Sequence, residues 1–100
     1  MRNIISTKAA PAAIGPYSQA VQVGNTLYLS GQIALDPQTG QMVEGDFDAQ
    51  VHRAIRNMKA VIESGGGSLR QCVRLTLYLT DLANFPRANE IMQAYFQPPY

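Results

Sequence analysis

Tyr17, Ser30, Gly31 and Asn89 are the residues whose types and settings suit hydrogen-bond chemistry on a small polar ligand. Tyr17 follows Gly15-Pro16, whose restricted backbone aims a phenol at little entropic cost, although a packed tyrosine fits the same spacing. Ser30 falls on the strand face opposite Leu27 and Leu29, beside a glycine whose carbonyl and N–H are unshielded; a plain strand serine reads the same way. Asn89 shares a helical face with Phe85, Met92 and Phe96, placing an amide in an apolar stripe, where it serves a ligand, a subunit contact or a structural network.

Other reactive side chains carry weaker arguments. His52 sits between the apolar and polar sides of a helix, the setting of a boundary histidine. Cys72 has no His or Asn near it in sequence to activate a thiolate, so a small packed residue is expected there. Arg53, Arg56 and Lys59 read as a solvated helix face. No pair of carboxylates is forced together, and no glycine fingerprint opens a helix for phosphate binding; Gly65-Gly66-Gly67 ends one instead. One cysteine and one histidine cannot build a structural zinc site, so no metal is expected.

The elements that must position these groups follow from local signals. Asn3–Thr7 suits an edge strand, and Ala9–Gly15 is irregular. Ala20–Val23 and Thr26–Ser30 flank Gly24-Asn25, which predicts a hairpin. Asp36-Pro37-Gln38-Thr39-Gly40 is a turn, with a short strand expected over Gln41–Glu44. Apolar residues at Phe47, Val51, Ile55, Met58 and Ile62 predict a helix over 46–64, capped by Asp46 and stopped by the glycines. Cys72–Thr80 alternates Val73, Leu75, Leu77 and Leu79 with polar residues and predicts a strand. Phe85–Phe96 predicts a second helix with Pro86 in its first turn and Phe85, Ala88, Met92, Tyr95 and Phe96 as its stripe. The order describes an α+β domain spanning 1–100, with two helices on one face of a mixed or antiparallel sheet and the other face left partly apolar.

Composition narrows the classes of function. A 100-residue chain with 46% hydrophobic residues and 15% charged is globular and neither fibrous nor disordered. A net charge of +1 falls short of the basic excess that a phosphate backbone selects, so no nucleic-acid partner is expected. A single cysteine, no apolar run of membrane-spanning length and no signal-peptide core point to the cytoplasm and to no membrane partner.

The string Ala12-Ala13-Ile14-Gly15-Pro16-Tyr17-Ser18-Gln19-Ala20-Val21, followed by Gly24-Asn25 and Leu29-Ser30-Gly31-Gln32, resembles the reactive intermediate deaminase (RidA, YjgF-like, endoribonuclease L-PSP) family. Asp36-Pro37, Thr39-Gly40, Gln50, Asn57, Asp81-Leu82, Phe85 and Asn89 extend the match end to end. The resemblance implies a chorismate-mutase-like α+β fold, a homotrimer with clefts between subunits, and hydrolysis of 2-imino acids such as 2-iminobutanoate and 2-iminopropanoate to 2-oxo acids and ammonia without a cofactor. It implies catalytic roles for Tyr17, Ser30 and the Gly31 backbone, with Asn89 closing the substrate pocket across the interface. Relatives continue past the equivalent of Pro98-Pro99-Tyr100 with a carboxylate-binding arginine, further strands and a glutamate thought to position the water; the sequence here stops at Tyr100, so that C-terminal part of the family pattern is missing from it. Arg74 is the one candidate to replace that arginine. The alternatives are a non-catalytic trimeric module that binds small carboxylates or partner proteins, and the ribonuclease or translation-inhibitor role that some relatives carry by name.

Overall fold

The computed structural model describes residues 1–100. Three short strands, β1 (Arg2–Ile5), β2 (Ala20–Val23) and β3 (Thr26–Leu29), form an antiparallel sheet in the order β1-β2-β3. The β2–β3 hairpin turns on Gly24-Asn25, and only Gly24 takes a positive φ (59°), as the first central residue of a type II′ hairpin does. The register places Ile4 opposite Val21 and Val21 opposite Tyr28, so these three side chains share one face. Ile5, Ala20 and Leu29 take the other face and pack against the helical layer. The predicted division of β3 into an aliphatic and a hydroxyl face is therefore observed.

Helix α1 (Phe47–Ser64) begins where the Asp46 carboxylate accepts the Ala49 N–H at 3.0 Å and ends at Gly65. Its stripe of Val51, Ile55 and Ile62 joins Leu69 and Ile91 in the main core, while Val61, wholly buried, packs with Ala10 and Ala20 under the sheet. The end of α1 lies so close to β3 that a Cβ on Gly65 would meet Leu27 Cδ1 at 3.0 Å. Helix α2 (Phe85–Met92) is shorter than the periodicity suggests, because the chain leaves the helix at Gln93 and turns through Tyr95. Two contacts tie α2 and its following turn to α1. Arg87 Nε donates to both carboxylate oxygens of Asp48 (3.0 and 3.1 Å), which holds the Asp48 carboxyl below the usual carboxylate range. Tyr95 Oη and His52 Nδ1 are 2.6 Å apart, so His52 is the half-buried boundary residue expected.

Three expectations need correction. Cys72–Thr80 is not a strand: no neighbouring strand offers it a ladder, and alternation fixes only which side a residue would take. The alternation survives only in its second half, where Leu75 (40%) and Leu77 (37%) are less exposed than Tyr78 (90%), whereas Val73 at the start is fully exposed. Likewise Gln41–Glu44 pairs only at the isolated bridge Leu35–Met42. In α2 the buried positions are Ala88 and Ile91, whereas Phe85 is half-exposed and Asn89 is exposed. Residues 88, 91, 92 and 95 define the packed face, which is rotated away from the one that would have enclosed the amide. No helix is long and apolar enough to cross a membrane.

Candidate functional site

Two neighbouring cavities meet at Tyr17. The larger, about 610 Å³, lies between the Gly15–Ser18 loop and the helix-free face of the sheet, and is lined by Arg2, Ile4, Val21, Tyr28, Leu29 and Ser30 as well as the loop. The smaller, about 150 Å³, is lined by Pro11, Ala12, Tyr17, Gln19, Gly31, Gln32, Ile33 and Leu35. Tyr17 and Ser30 thus share the first cavity, and Tyr17 and Gly31 share the second.

Local chemistry places each group. Pro16 bends the chain so that Tyr17 N–H returns to the Gly15 carbonyl at 2.9 Å, and the phenol ring lies against Gly15. Tyr17 Oη accepts a long bond from Ile14 N–H (3.4 Å), which leaves the half-exposed phenol with its O–H free to donate. Ser30 caps the hairpin: its N–H donates to Gln19 O at 3.0 Å and its Oγ donates to Ser18 O at 2.6 Å. With that proton engaged, Ser30 Oγ meets a ligand as an acceptor. Gly31 makes no hydrogen bond through its N–H within the chain, and a Cβ built there would find nothing within 4 Å. A phenol donor therefore stands where the two cavities meet, with a hydroxyl acceptor lining the larger and a peptide N–H free of bonds within the chain lining the smaller. Arg2 is the one charged side chain lining either cavity.

The remaining candidates lie elsewhere. Asn89 lines neither cavity and is solvated on α2. Arg74 sits on the unpaired segment, away from both cavities. Cys72 reaches only the Arg74 carbonyl, at 3.5 Å. Arg53 is not simply solvated, since its Nε donates to Asn57 Oδ1 at 3.0 Å. The sequence argument missed Gln19 and Asn57 as structural residues, although they are the two buried polar side chains of the chain. Asn57 was open to detection: it lies three residues after Ala54 and four before Val61, at the edge of the apolar stripe.

The endoribonuclease L-PSP family model matches residues 7–100. The chain belongs to this family. A 2-iminobutanoate/2-iminopropanoate deaminase from Dermatophagoides farinae is 46% identical over 99% of the chain and 77% of that protein. A mouse protein of the same name is 45% identical over 97% of the chain and 72% of its own length. Other family members bear only a family name, such as the RutC family protein of Pyrococcus abyssi, 47% identical over 95% of the chain and 75% of that protein. Among solved structures, RidA from an Antarctic Psychrobacter species superposes with a TM-score of 0.93 at 48% identity, covering 98% of this chain and 79% of that one. TdcF from E. coli with bound serine gives 0.88 at 38% identity, over 93% of this chain and 72% of that one. The α+β architecture of the family is thereby shown, including the helices on one face of the sheet.

Proposed function

We propose that this protein hydrolyses 2-imino acids, of the 2-iminobutanoate and 2-iminopropanoate type, to 2-oxo acids and ammonia, at the cavities around Tyr17. The observation that carries the reading is the convergence of the Tyr17 phenol, the Ser30 hydroxyl and the free Gly31 N–H on adjoining cavities. Relatives named for this activity at about 45% identity support it.

A protonated imine is already electrophilic, so the reaction needs little more than orientation and proton movement. Ser30 Oγ accepts an N–H of the iminium or an O–H of the attacking water. As the water oxygen bonds to the imine carbon, the C=N π electrons move to nitrogen, and the proton shed by the water is taken up by that nitrogen, while the remaining hydroxyl proton passes to solvent or to the departing ammonia in the next step. The tetrahedral intermediate then expels ammonia as the carbonyl forms. Tyr17 O–H and Gly31 N–H donate to oxygens of substrate or intermediate, and the substrate carboxylate lies within the reach of Arg2. Each contact is an ordinary hydrogen bond, and no metal or organic cofactor is required.

In this reading the active unit is a homotrimer. The helix-free sheet face leaves Ile4 (56%), Val23 (46%) and Tyr28 (64%) open, and a neighbouring subunit covers it and brings its Asn89 toward the pocket. The test is to generate 2-iminobutanoate in solution with an amino-acid-dehydrating enzyme and follow 2-oxobutanoate. Acceleration that falls in Tyr17→Phe and Ser30→Ala supports the proposal; an unchanged rate with folded protein refutes it. The bound serine of TdcF favours a second reading, a binding module for small carboxylates. Calorimetry with 2-oxobutanoate separates the two, because binding without turnover supports the module. Ribonuclease action is disfavoured by the net charge of +1 and by cavities with one cationic residue between them.

A further inference from the structure

We propose that Gln19 and Asn57 are positioning residues that set the two opposing walls of the smaller cavity; the inference rests on the reading of that cavity as part of the reaction site. One wall is Pro11-Ala12 and the other is Gly31–Leu35. Both are loops outside the three-stranded sheet, and the second is tied to its neighbour only at its far end, by the isolated bridge Leu35–Met42.

The Gln19 side chain, 3% exposed, staples the first wall. Its Oε1 accepts Thr7 N–H at 2.7 Å, and its Nε2 donates to the carbonyls of Thr7 (3.0 Å), Ala10 (3.3 Å) and Pro11 (2.7 Å). Asn57, fully buried on α1, staples the second. Its Nδ2 donates to the carbonyls of Ile33 (3.0 Å) and Leu35 (2.9 Å), while Oδ1 accepts from Arg53 Nε at 3.0 Å. Because Arg53 can only donate and the carbonyls can only accept, the Asn57 amide has one allowed orientation. Each staple satisfies backbone groups of an irregular segment that would otherwise be free to shift. Gly31 lies two residues from Ile33, so the Asn57 bonds limit where its peptide N–H can stand. Gln19 also carries the carbonyl that receives Ser30 N–H, so one residue ties the first wall to the hydroxyl.

Such a role affects turnover more than fold. The test compares Asn57→Asp, which keeps the acceptor for Arg53 but deletes both donors to the wall, with Asn57→Ser and Gln19→Glu. The control is Ile55→Val, a core change away from both cavities. Assays run well below each variant's melting temperature. Loop shifts of about 1 Å reach on the order of 10²-fold in rate, so kcat is expected to fall about tenfold or more in the amide variants, with KM changing less. Ile55→Val keeps kcat within about twofold. A second readout needs no activity: backbone order parameters of Gly31–Leu35 fall in the Asn57 variants, from about 0.85 toward 0.6, and stay high in the control. Amide variants with wild-type kcat and undiminished order parameters overturn the inference. An inactive wild type whose order parameters respond as described overturns the assignment of the reaction and leaves the positioning role standing.

Discussion

Replacing Gly31 with Ala separates the site from the fold, because the two respond in opposite directions. Gly31 is absent from the glycines with positive φ, so alanine adopts its backbone without strain, and the added Cβ meets nothing within 4 Å. Loss of glycine's freedom in the unfolded chain then stabilises the protein by about 0.4–1 kcal/mol. The same methyl stands beside the Gly31 N–H, which makes no hydrogen bond within the chain and lines the smaller cavity, where the reaction reading puts a developing oxyanion or the water. Shielding a donor of that kind costs on the order of 10²-fold in turnover, about 2.7 kcal/mol of transition-state stabilisation. Thermal melts and the coupled 2-oxobutanoate assay on the same preparation give both numbers. A variant that melts at or above the wild-type temperature while kcat falls about a hundredfold fits the argument. If kcat/KM stays within about threefold of wild type, no reacting group approaches Gly31 and the site is elsewhere.

Gly45→Ala acts on stability alone: Gly45 has φ 131°, and a Cβ there would sit 2.9 Å from Ala49 Cβ at the start of α1. The expected cost is about 1–3 kcal/mol, read as a melting temperature lowered by roughly 5 °C or more. Asp48→Asn probes the α1–α2 ion pair. The Arg87 hydrogen bond depresses the Asp48 carboxyl, so the pair stabilises the folded state above the ordinary carboxylate value and is lost as pH falls through the lowered one. Wild type and variant should therefore differ in melting temperature near pH 7 and converge as the pH falls below the ordinary carboxylate range; a gap that widens in acid contradicts the assignment. Arg2→Gln should raise KM for the imino acid several-fold with kcat little changed, because Arg2 is the only cation at either cavity. An unaltered KM places carboxylate recognition on groups other than Arg2.

Local signals were legible in the sequence and relational ones were not. Gly24-Asn25 specifies a tight turn and Asp46 a helix cap through bonds made within a few residues, and both stand where expected. Cys72–Thr80 shows the limit: alternation states which side faces inward, but a ladder depends on a neighbour remote in sequence, and none pairs with it here. Asn89 failed by helical phase. Met92 belongs to the stripe through Phe85 and also to the one through Ala88 and Ile91, and packing on α1 selected the second. Tyr17, Ser30 and Gly31, the residues of the proposed site, stood out in the sequence because a glycine or proline flanks or forms each position. The burial of Gln19 gave no such signal, because its amide is enclosed by loop carbonyls that surround it only once the chain has folded, whereas Asn57 was open to detection at the edge of the α1 stripe.

The open face of the sheet and the face that carries the candidate site are the same face. β3 pairs only with β2, the segment 72–80 has no strand partner, and the helix-free sheet face keeps its apolar residues open. Ile4, Val21 and Tyr28 of that face are also walls of the larger cavity, next to Tyr17 and Ser30. Any body that covers the face for the hydrophobic gain therefore also roofs the cavity and removes water from it. Hydrogen bonds from Tyr17, Ser30 and Gly31 are weak while water competes for them, and they strengthen as the local dielectric falls. The chain by itself buries only 12 of its 100 residues. In the proposed homotrimer, association would do for the proposed reaction what a closing lid does in enzymes that have one, with no moving segment required.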